Sequence, residues 1–267
     1  MSVFGQNYPN LEYIIIDGGS TDGSINIIKK YENRLAYWVS EPDKGMYQAI
    51  QKGFDISTGE IMAWINSDDM YHPNSFFTIA EIFNSIKEVN WLVGPCTFYD
   101  ELGRSIYSFP SRLFTKFDFF NNDFQWIQQE SVFWRRSLWE KAGNHLNIDL
   151  KYAGDFDLWL RFFQYDRLFV TNSLVGGFRW RQSNQLTIEH MDDYLQEVRE
   201  TLKKNVLTNY EKKVLFRYQR LLKLDSCLRK LKFINSDWIV KQYRSKYFPK
   251  DSRIGFDRKK MKFILAE

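Results

Sequence analysis

The sequence predicts an α/β fold: a mostly parallel sheet flanked by helices, with a helical extension at the C-terminal end. Three observations predict it. Short apolar runs alternate with capped, helix-length segments over the first hundred or so residues. Each run ends in a turn rich in Gly, Asn or Asp, and charge is divided unevenly along the chain. The 267 residues are 44% apolar, 18% aromatic and 26% charged, which suits one large domain with an appendage and excludes intrinsic disorder. No apolar run approaches the roughly 18 residues of a membrane-spanning helix, and no leader pattern opens the sequence. Cys96 and Cys227 make neither a disulfide framework nor a metal-ligand spacing, so a reducing, cytoplasmic setting is expected.

The elements follow in order. Residues 11–16 form an apolar run that ends at Asp17-Gly18-Gly19, and Ser20, Thr21 and Asp22 offer N-caps for a helix over residues 24–31. Residues 36–39 read as a second strand, the polar turn at 41–45 leads into a helix over 46–54, and residues 60–65 are a third strand that ends in Asn66-Ser67-Asp68-Asp69. Pro73 stands at a helix start, with the helix running over 74–86, and residues 91–93 are a fourth strand. Beyond Gly94 the pattern loosens. A hairpin turn at 100–103, a strand over 126–134, a helix over 137–142 closed by Gly143, a helix over 156–163 with Asp155 at its start and a strand over 168–171 are expected. From Met191 onward the chain reads as helical, charged and basic.

In open α/β sheets ligands bind beyond the carboxyl ends of the strands, so Asp17, Asp43 and the Asp68-Asp69 pair should share one edge. Adjacent carboxylates repel unless solvent or a hard cation compensates. Magnesium or manganese needs oxygen ligands, often only one or two from protein, with substrate phosphates completing the shell. The Gly-rich turn at 17–23 is no dinucleotide fingerprint, and G-K-[ST] is absent, so backbone amides are not expected to cradle phosphate. The plainer alternative is a set of solvated loops and an Asp-rich helix cap.

Asp17-Gly18-Gly19-Ser20-Thr21-Asp22-Gly23, Ser40-Glu41-Pro42-Asp43-Lys44-Gly45-Met46-Tyr47, Asn66-Ser67-Asp68-Asp69 and Tyr152-Ala153-Gly154-Asp155-Phe156-Asp157-Leu158-Trp159-Leu160-Arg161 resemble, in order and spacing, the motifs of family 2 glycosyltransferases of the GT-A fold. The resemblance covers residues 1–190, and residues 191–267 are then a basic helical extension. It implies that Asp17 holds the nucleotide base, with Asp43 and Lys44 nearby. Asp68 would meet the ribose or donor sugar, and Asp69, at the DXD-type motif, would ligate Mn2+ or Mg2+. Asp155 would be the general base, preferred over Asp157 because two positions along a helix point to another face. Without that context, an Asp at a helix start is more often a cap. Gln129 and Glu130, on a predicted strand, match a segment near the donor sugar and acceptor, and Arg181 matches a basic position near the diphosphate.

The sequence also departs from the family. Relatives normally begin with a strand and helix ahead of the stretch resembling residues 2–9, Gly18 stands where many carry a second Asp, and Gln48 where close relatives often carry Asp. Without that strand a central strand becomes an exposed edge, an aggregation liability. His72, His145 and His190 share no ligand spacing.

From Arg199 to the end there are 20 Lys+Arg and 7 Asp+Glu, a net of +13, which leaves 17 against 26, a net of −9, for the rest. Val214, Tyr218, Leu221, Leu224, Leu228 and Leu231 recur at helical spacing among Lys212, Lys213, Arg217, Arg220 and Lys223. Such a helix suits the interface of an anionic membrane, or equally a packed helix with a solvated charged face; no nucleic-acid motif accompanies it. The resemblance implies an inverting, metal-dependent transfer from a nucleotide-sugar donor to a glycan or lipid-linked acceptor in bacterial surface-polysaccharide synthesis. The alternative is a non-catalytic remnant that binds a glycan or partner.

Overall fold

The computed structural model describes residues 2–124, 127–181, 189–230, 237–248 and 252–266. Through the first half strands and helices alternate as β1 (Ile14–Asp17), α1 (Ser24–Lys30), β2 (Tyr37–Ser40), α2 (Met46–Ile56), β3 (Ile61–Met62), β4 (Met70–Tyr71), α3 (Ser75–Ser85) and β5 (Trp91–Val93). There follow β6 (Cys96–Tyr99), β7 (Ser105–Phe109), α4 (Lys116–Phe120), β8 (Val132–Arg135), α5 (Arg136–Lys141), α6 (Gly154–Phe162), β9 (Phe169–Thr171) and β10 (Gly176–Arg179). The C-terminal part holds α7 (Met191–Lys204), α8 (Asn209–Lys230), α9 (Asp237–Tyr247), β11 (Arg253–Asp257) and β12 (Lys262–Leu265).

The α/β architecture is the expected one, but its pairing is mixed rather than mostly parallel. The main sheet runs β12-β11-β9-β5-β8-β3, a second β4-β10-β6-β7, and β1-β2 stand apart as a pair. β9 is parallel to β5 and β11, whereas β8 lies antiparallel between β5 and β3. The reason lies in the excursion over residues 94–131: it leaves β5 at Val93 and re-enters beside it at Val132, so the returning strand must run the other way.

Two further expectations change. Residues 191–267 are not helical throughout, because β11 and β12 form a hairpin that joins the main sheet through Arg253↔Val170 and Ile254↔Thr171. Ile254 and Phe263 bury an apolar face that alternates with polar positions at the period of a strand. The strand expected over 126–134 begins only at Val132, after a 3-10 turn at Gln129–Ser131, and Trp126 lies outside the described residues.

An aromatic core positions the site. Trp159 of α6 stacks on Trp64 and Trp91 at 5.8 and 5.7 Å and meets Trp134 edge-on at 5.8 Å. The indole N–H groups of Trp91, Trp134 and Trp159 are buried with no acceptor, a cost of about 1–3 kcal/mol each that the apolar area of the rings must offset.

Between β1 and β3 the sheet is interrupted. β1 pairs only with β2 and β3 only with β8. Ile14 and Ile16 point their main-chain groups away from β2, and Ile61 and Ala63 point theirs away from β8, as the two ladders require. The two edges line one cavity of about 1730 Å³. At its foot the Glu12 carboxylate bridges them, accepting from the amides of Thr58 at 2.7 Å and Gly59 at 3.0 Å. Amide exchange should therefore be at least about tenfold faster at Ile14, Ile16, Ile61 and Ala63 than at Leu92 and Val170 in the middle of the main sheet; equal protection would mean that the gap is closed in solution.

Candidate functional site

The cavity collects most of the acidic turns. Asp17, Asp68, Asp69, Gln129, Glu130, Asp155 and Arg181 line it, together with Tyr47, Trp64, Phe156 and Trp159. Asp43 and Lys44 are not among its walls. Asp43 accepts from Gly45 N at 2.8 Å, and Lys44 N donates to Gln48 Oε1 at 2.7 Å, so both serve the turn into α2. The two loops nonetheless touch: a Cβ on Gly18 would stand 2.5 Å from Asp43 Oδ2, so a larger residue there would require the Asp43 carboxylate to turn aside.

Asp17 ends β1 with its carboxylate fully engaged. It accepts from Gly19 N at 3.1 Å, Ser20 N at 2.9 Å, Ser20 Oγ at 2.6 Å and Ser40 Oγ at 2.6 Å. The hydroxyls of Ser20 and then Ser40 hold its pKa down to about 2. The group expected to hold a nucleotide base thus also ties the Gly-rich turn to β2.

Asp68 and Asp69 are placed differently from one another. Asp68 pairs with Arg181 at 2.8 Å near the surface. Asp69 is 6% exposed and accepts from Asn66 Nδ2 at 3.0 Å and Arg179 N at 2.9 Å. Burial, with the Asp68 charge adding to it, raises its carboxyl to about 6. Glu130 is buried against Asp69 and its pKa is pushed well up, by burial first and by Asp69 next. Burial thus favours the neutral form of Glu130 beside Asp69. Gln129 donates to the Trp64 carbonyl at 2.6 Å, while its Oε1 is buried with no partner. A buried acceptor without a donor marks a place for a ligand hydroxyl or a cation. Gln128, by contrast, is structural: it donates to Thr97 O and accepts from Thr97 N, both at 2.9 Å.

Asp155 lies in the first turn of α6. Its Oδ1 accepts from Phe156 N at 2.8 Å and stands 3.4 Å from the Tyr47 hydroxyl, which donates to Tyr152 O at 2.9 Å. Burial raises its carboxyl to about 6. Asp157 is committed elsewhere, to Arg161 at 3.0 Å. A Cβ on Gly154 would come within 2.8 Å of the Tyr47 ring, which fixes glycine beside the acid.

Sequence reasoning missed Glu197. From α7 its carboxylate accepts from the amides of Lys151, Tyr152 and Ala153, each at 2.9 Å. These are the amides just ahead of α6, so the extension holds the Asp155 turn in place. Glu197 is one acid in a charged helix, and no local signal sets it apart. The Arg179-Trp180-Arg181-Gln182 stretch is described to Arg181; Gln182 lies outside the described residues.

A mixed α/β sheet whose loops gather acidic turns in one cavity beside an acid at a helix start defines the GT-A class of glycosyltransferase folds. The chain belongs to glycosyl transferase family 2, whose model matches residues 1–138. An uncharacterized glycosyltransferase of Rickettsia typhi is 24% identical over 202 residues, covering 72% of this chain and 63% of its own length. The chain thus spans less than two thirds of that relative. One from Mycobacterium tuberculosis is 38% identical over 71 residues, 26% of this chain and 27% of its own. The fold is similar to that of Staphylococcus aureus TarS 1–349 in complex with UDP-GlcNAc, with a TM-score of 0.61 and 16% identity over 80% of this chain and 64% of that one. It is also similar to the mannosyltransferase PcManGT of Pyrobaculum calidifontis in complex with GDP-Man and Mn2+, with a TM-score of 0.57 and 16% identity over 78% and 59% of the chains.

Two expectations follow from the geometry. A carboxyl whose pKa is raised in the fold favours the native state below its unfolded pKa and loses that contribution as pH rises through about 6. Asp155→Asn should therefore melt at a higher temperature than wild type at pH 8, by about 1–2 kcal/mol of stability, with no gain near pH 4.5. Glu197→Gln, left with one accepting oxygen for the three amides, should destabilise by about 1–3 kcal/mol in denaturant unfolding.

Proposed function

We propose that this protein is an inverting glycosyltransferase that moves a sugar from a nucleotide diphosphate donor to a hydroxyl of a glycan or lipid-linked acceptor. The observation that carries this reading is the convergence of Asp68, Asp69, Arg181, Gln129 and Asp155 on one cavity. Asp155, with its carboxyl at about 6, suits a general base near neutral pH. In the proposed step it takes the proton of the acceptor hydroxyl while that oxygen attacks the anomeric carbon; the bond from that carbon to the diphosphate breaks and the configuration inverts. Tyr47 and Glu197 orient the turn that carries Asp155.

The oxygen atoms also fit a hard cation, with Asp69 and the unpartnered Oε1 of Gln129 as protein ligands and the donor's own phosphates supplying the rest. When bound, Mn2+ or Mg2+ supplies charge neutralisation to the departing diphosphate. Arg181 stands at the rim, where a phosphate can compete with Asp68 for its guanidinium. The complexes of TarS with UDP-GlcNAc and of PcManGT with GDP-Man support a nucleotide-sugar donor of UDP or GDP type. Surface-polysaccharide assembly is the setting we favour.

A second reading, a binding module without turnover, is favoured by the gap between β1 and β3, which opens at the end of the cavity where Asp17 stands. One titration separates the two. UDP and GDP are added to the folded chain by calorimetry with and without Mn2+, and Asp69→Ala is compared with wild type. We expect binding that needs Mn2+ and weakens at least about tenfold in Asp69→Ala. A folded chain that binds neither nucleotide at millimolar concentration would favour the module.

A further inference from the structure

Helix α8 carries two faces, and the one that meets the protein is settled by its packing. Val214, Leu215 and Tyr218 are buried with Phe117, Leu207 and Phe248. Thr208 and Glu211 close a capping box at its start, Glu211 pairs with Lys116 of α4, and Tyr243 of α9 donates to Val214 O at 3.0 Å. Tyr218 accepts from Arg244, which also pairs with Asp118 at 2.8 Å. Of the stripe that the sequence offered as a membrane face, Val214 and Tyr218 therefore dock on the protein, Leu224 is exposed, and Leu231 lies outside the described residues.

The opposite face is exposed and has a composition of its own. Lys213, Phe216, Arg217, Arg220 and Leu224 follow one another at helical spacing, flanked by Tyr210, Lys212 and Lys223. Phe216 is 60% exposed, Leu224 52% and Tyr210 64%. The Arg220 guanidinium lies over the Phe216 ring at 5.8 Å. The acids of this helix are turned away: Glu211 is held by Lys116, and Asp225 is buried. Among the described residues 209–228 the outward face thus carries cations and large apolar side chains, together with the neutral Cys227, and no carboxylate.

We propose that this face of α8 docks on an anionic phospholipid bilayer, with the cations against the headgroups and Phe216 and Leu224 inserted between them. Charge complementarity commits it to an anionic surface. The large apolar side chains between the cations commit it to a lipid one: Phe216 alone could stack on a base, but the aliphatic Leu224 leaves water only among acyl chains. The inference does not rest on the glycosyltransferase reading. The geometry does link the face to the cavity: Phe248 packs on Phe117 of α4 at 4.7 Å, and Phe119 of the same helix packs at 4.6 Å on Phe156, the residue after Asp155.

The test is co-sedimentation of the full chain in about 0.1 M NaCl, with sucrose-loaded vesicles of pure phosphatidylcholine and of phosphatidylcholine with 30% phosphatidylglycerol. Partitioning should be at least about tenfold stronger on the anionic vesicles and fall steeply as salt is raised. The pair Arg217→Glu, Arg220→Glu should lower it more than about twentyfold. The pair Phe216→Ser, Leu224→Ser, which leaves every charge in place, should lower it about tenfold. All these side chains are exposed, so each variant should keep the wild-type melting temperature, and nucleotide titration of the same samples reads the cavity separately. Equal partitioning on both vesicles overturns the proposal. So does a loss confined to the charge variant together with full displacement by a 20-nucleotide RNA, which would make the face a polyanion site.

Discussion

A carboxylate walled by aromatic rings stays charged only where donors or counter-charges are built around it, and the arrangement of this site follows from that cost. The acids of the cavity meet it in different ways. Asp17 gathers hydroxyl and amide donors and is held near 2. Asp68 has Arg181. Asp69 and Glu130 lie buried against each other, and both carboxyls are raised, Glu130 the more strongly. Asp155 has one short amide bond and a more distant phenol, so burial wins and its carboxyl rises to about 6. Within one cavity Asp17 is thereby held down, Glu130 is pushed well up, and Asp69 and Asp155 rise to about 6. In the proposed reaction such a spread would serve proton transfer beside an anionic leaving group.

Holding Asp155 in place is the work of residues far from it in sequence. Tyr47, from the start of α2, sets its ring against Gly154 and its hydroxyl between Tyr152 and Asp155. Glu197 gathers the three amides before the helix. The extension is therefore not an appendage to the site. Its first helix is a wall of it, and its last hairpin is part of the main sheet.

What could be read from the sequence was what depends on local pattern. The strands ending near Asp17, Ser40 and Val93, the helices from Ser24 and Met46, and the placing of Asp17, Asp68 and Asp69 on one cavity follow from apolar runs and the turns that end them. Asp43 falls outside the cavity, and in the sequence Asp155 is joined to it only by the family resemblance. Elements without a pattern of their own were not legible. β4 is two residues long, β10 contains paired glycines, and α4 is a single capped turn whose place depends on α8 and α9 docking against it. The hairpin of β11 and β12 was lost because its charges resemble those of the helices before it, although Ile254 and Phe263 are core residues. Glu197 and the unpartnered oxygen of Gln129 owe their meaning to neighbours brought in by tertiary structure. On α8 the expected stripe is divided: Val214 and Tyr218 pack with Leu215 and Leu222 against α4 and α9, whereas Leu224 is exposed, because what covers a helix face depends on its neighbours and not on its period.

Charge distribution connects the ends of this account. The chain up to residue 198 carries a net of −9 and the remainder +13. A cavity lined by acids repels a diphosphate at long range, so a donor of that charge needs cations where it lands. In the proposed reading Arg181 is one, and a hard ion on Asp69 would be the other. At the surface the same opposition orients the molecule. In the proposed docking an anionic sheet of lipid would repel the acidic body and attract α8, which the pairs Lys116–Glu211 and Arg244–Asp118 fasten to α4. Screening over about 8 Å in physiological salt confines the attraction to close approach, where the exposed Phe216 and Leu224 add a contribution that salt does not remove.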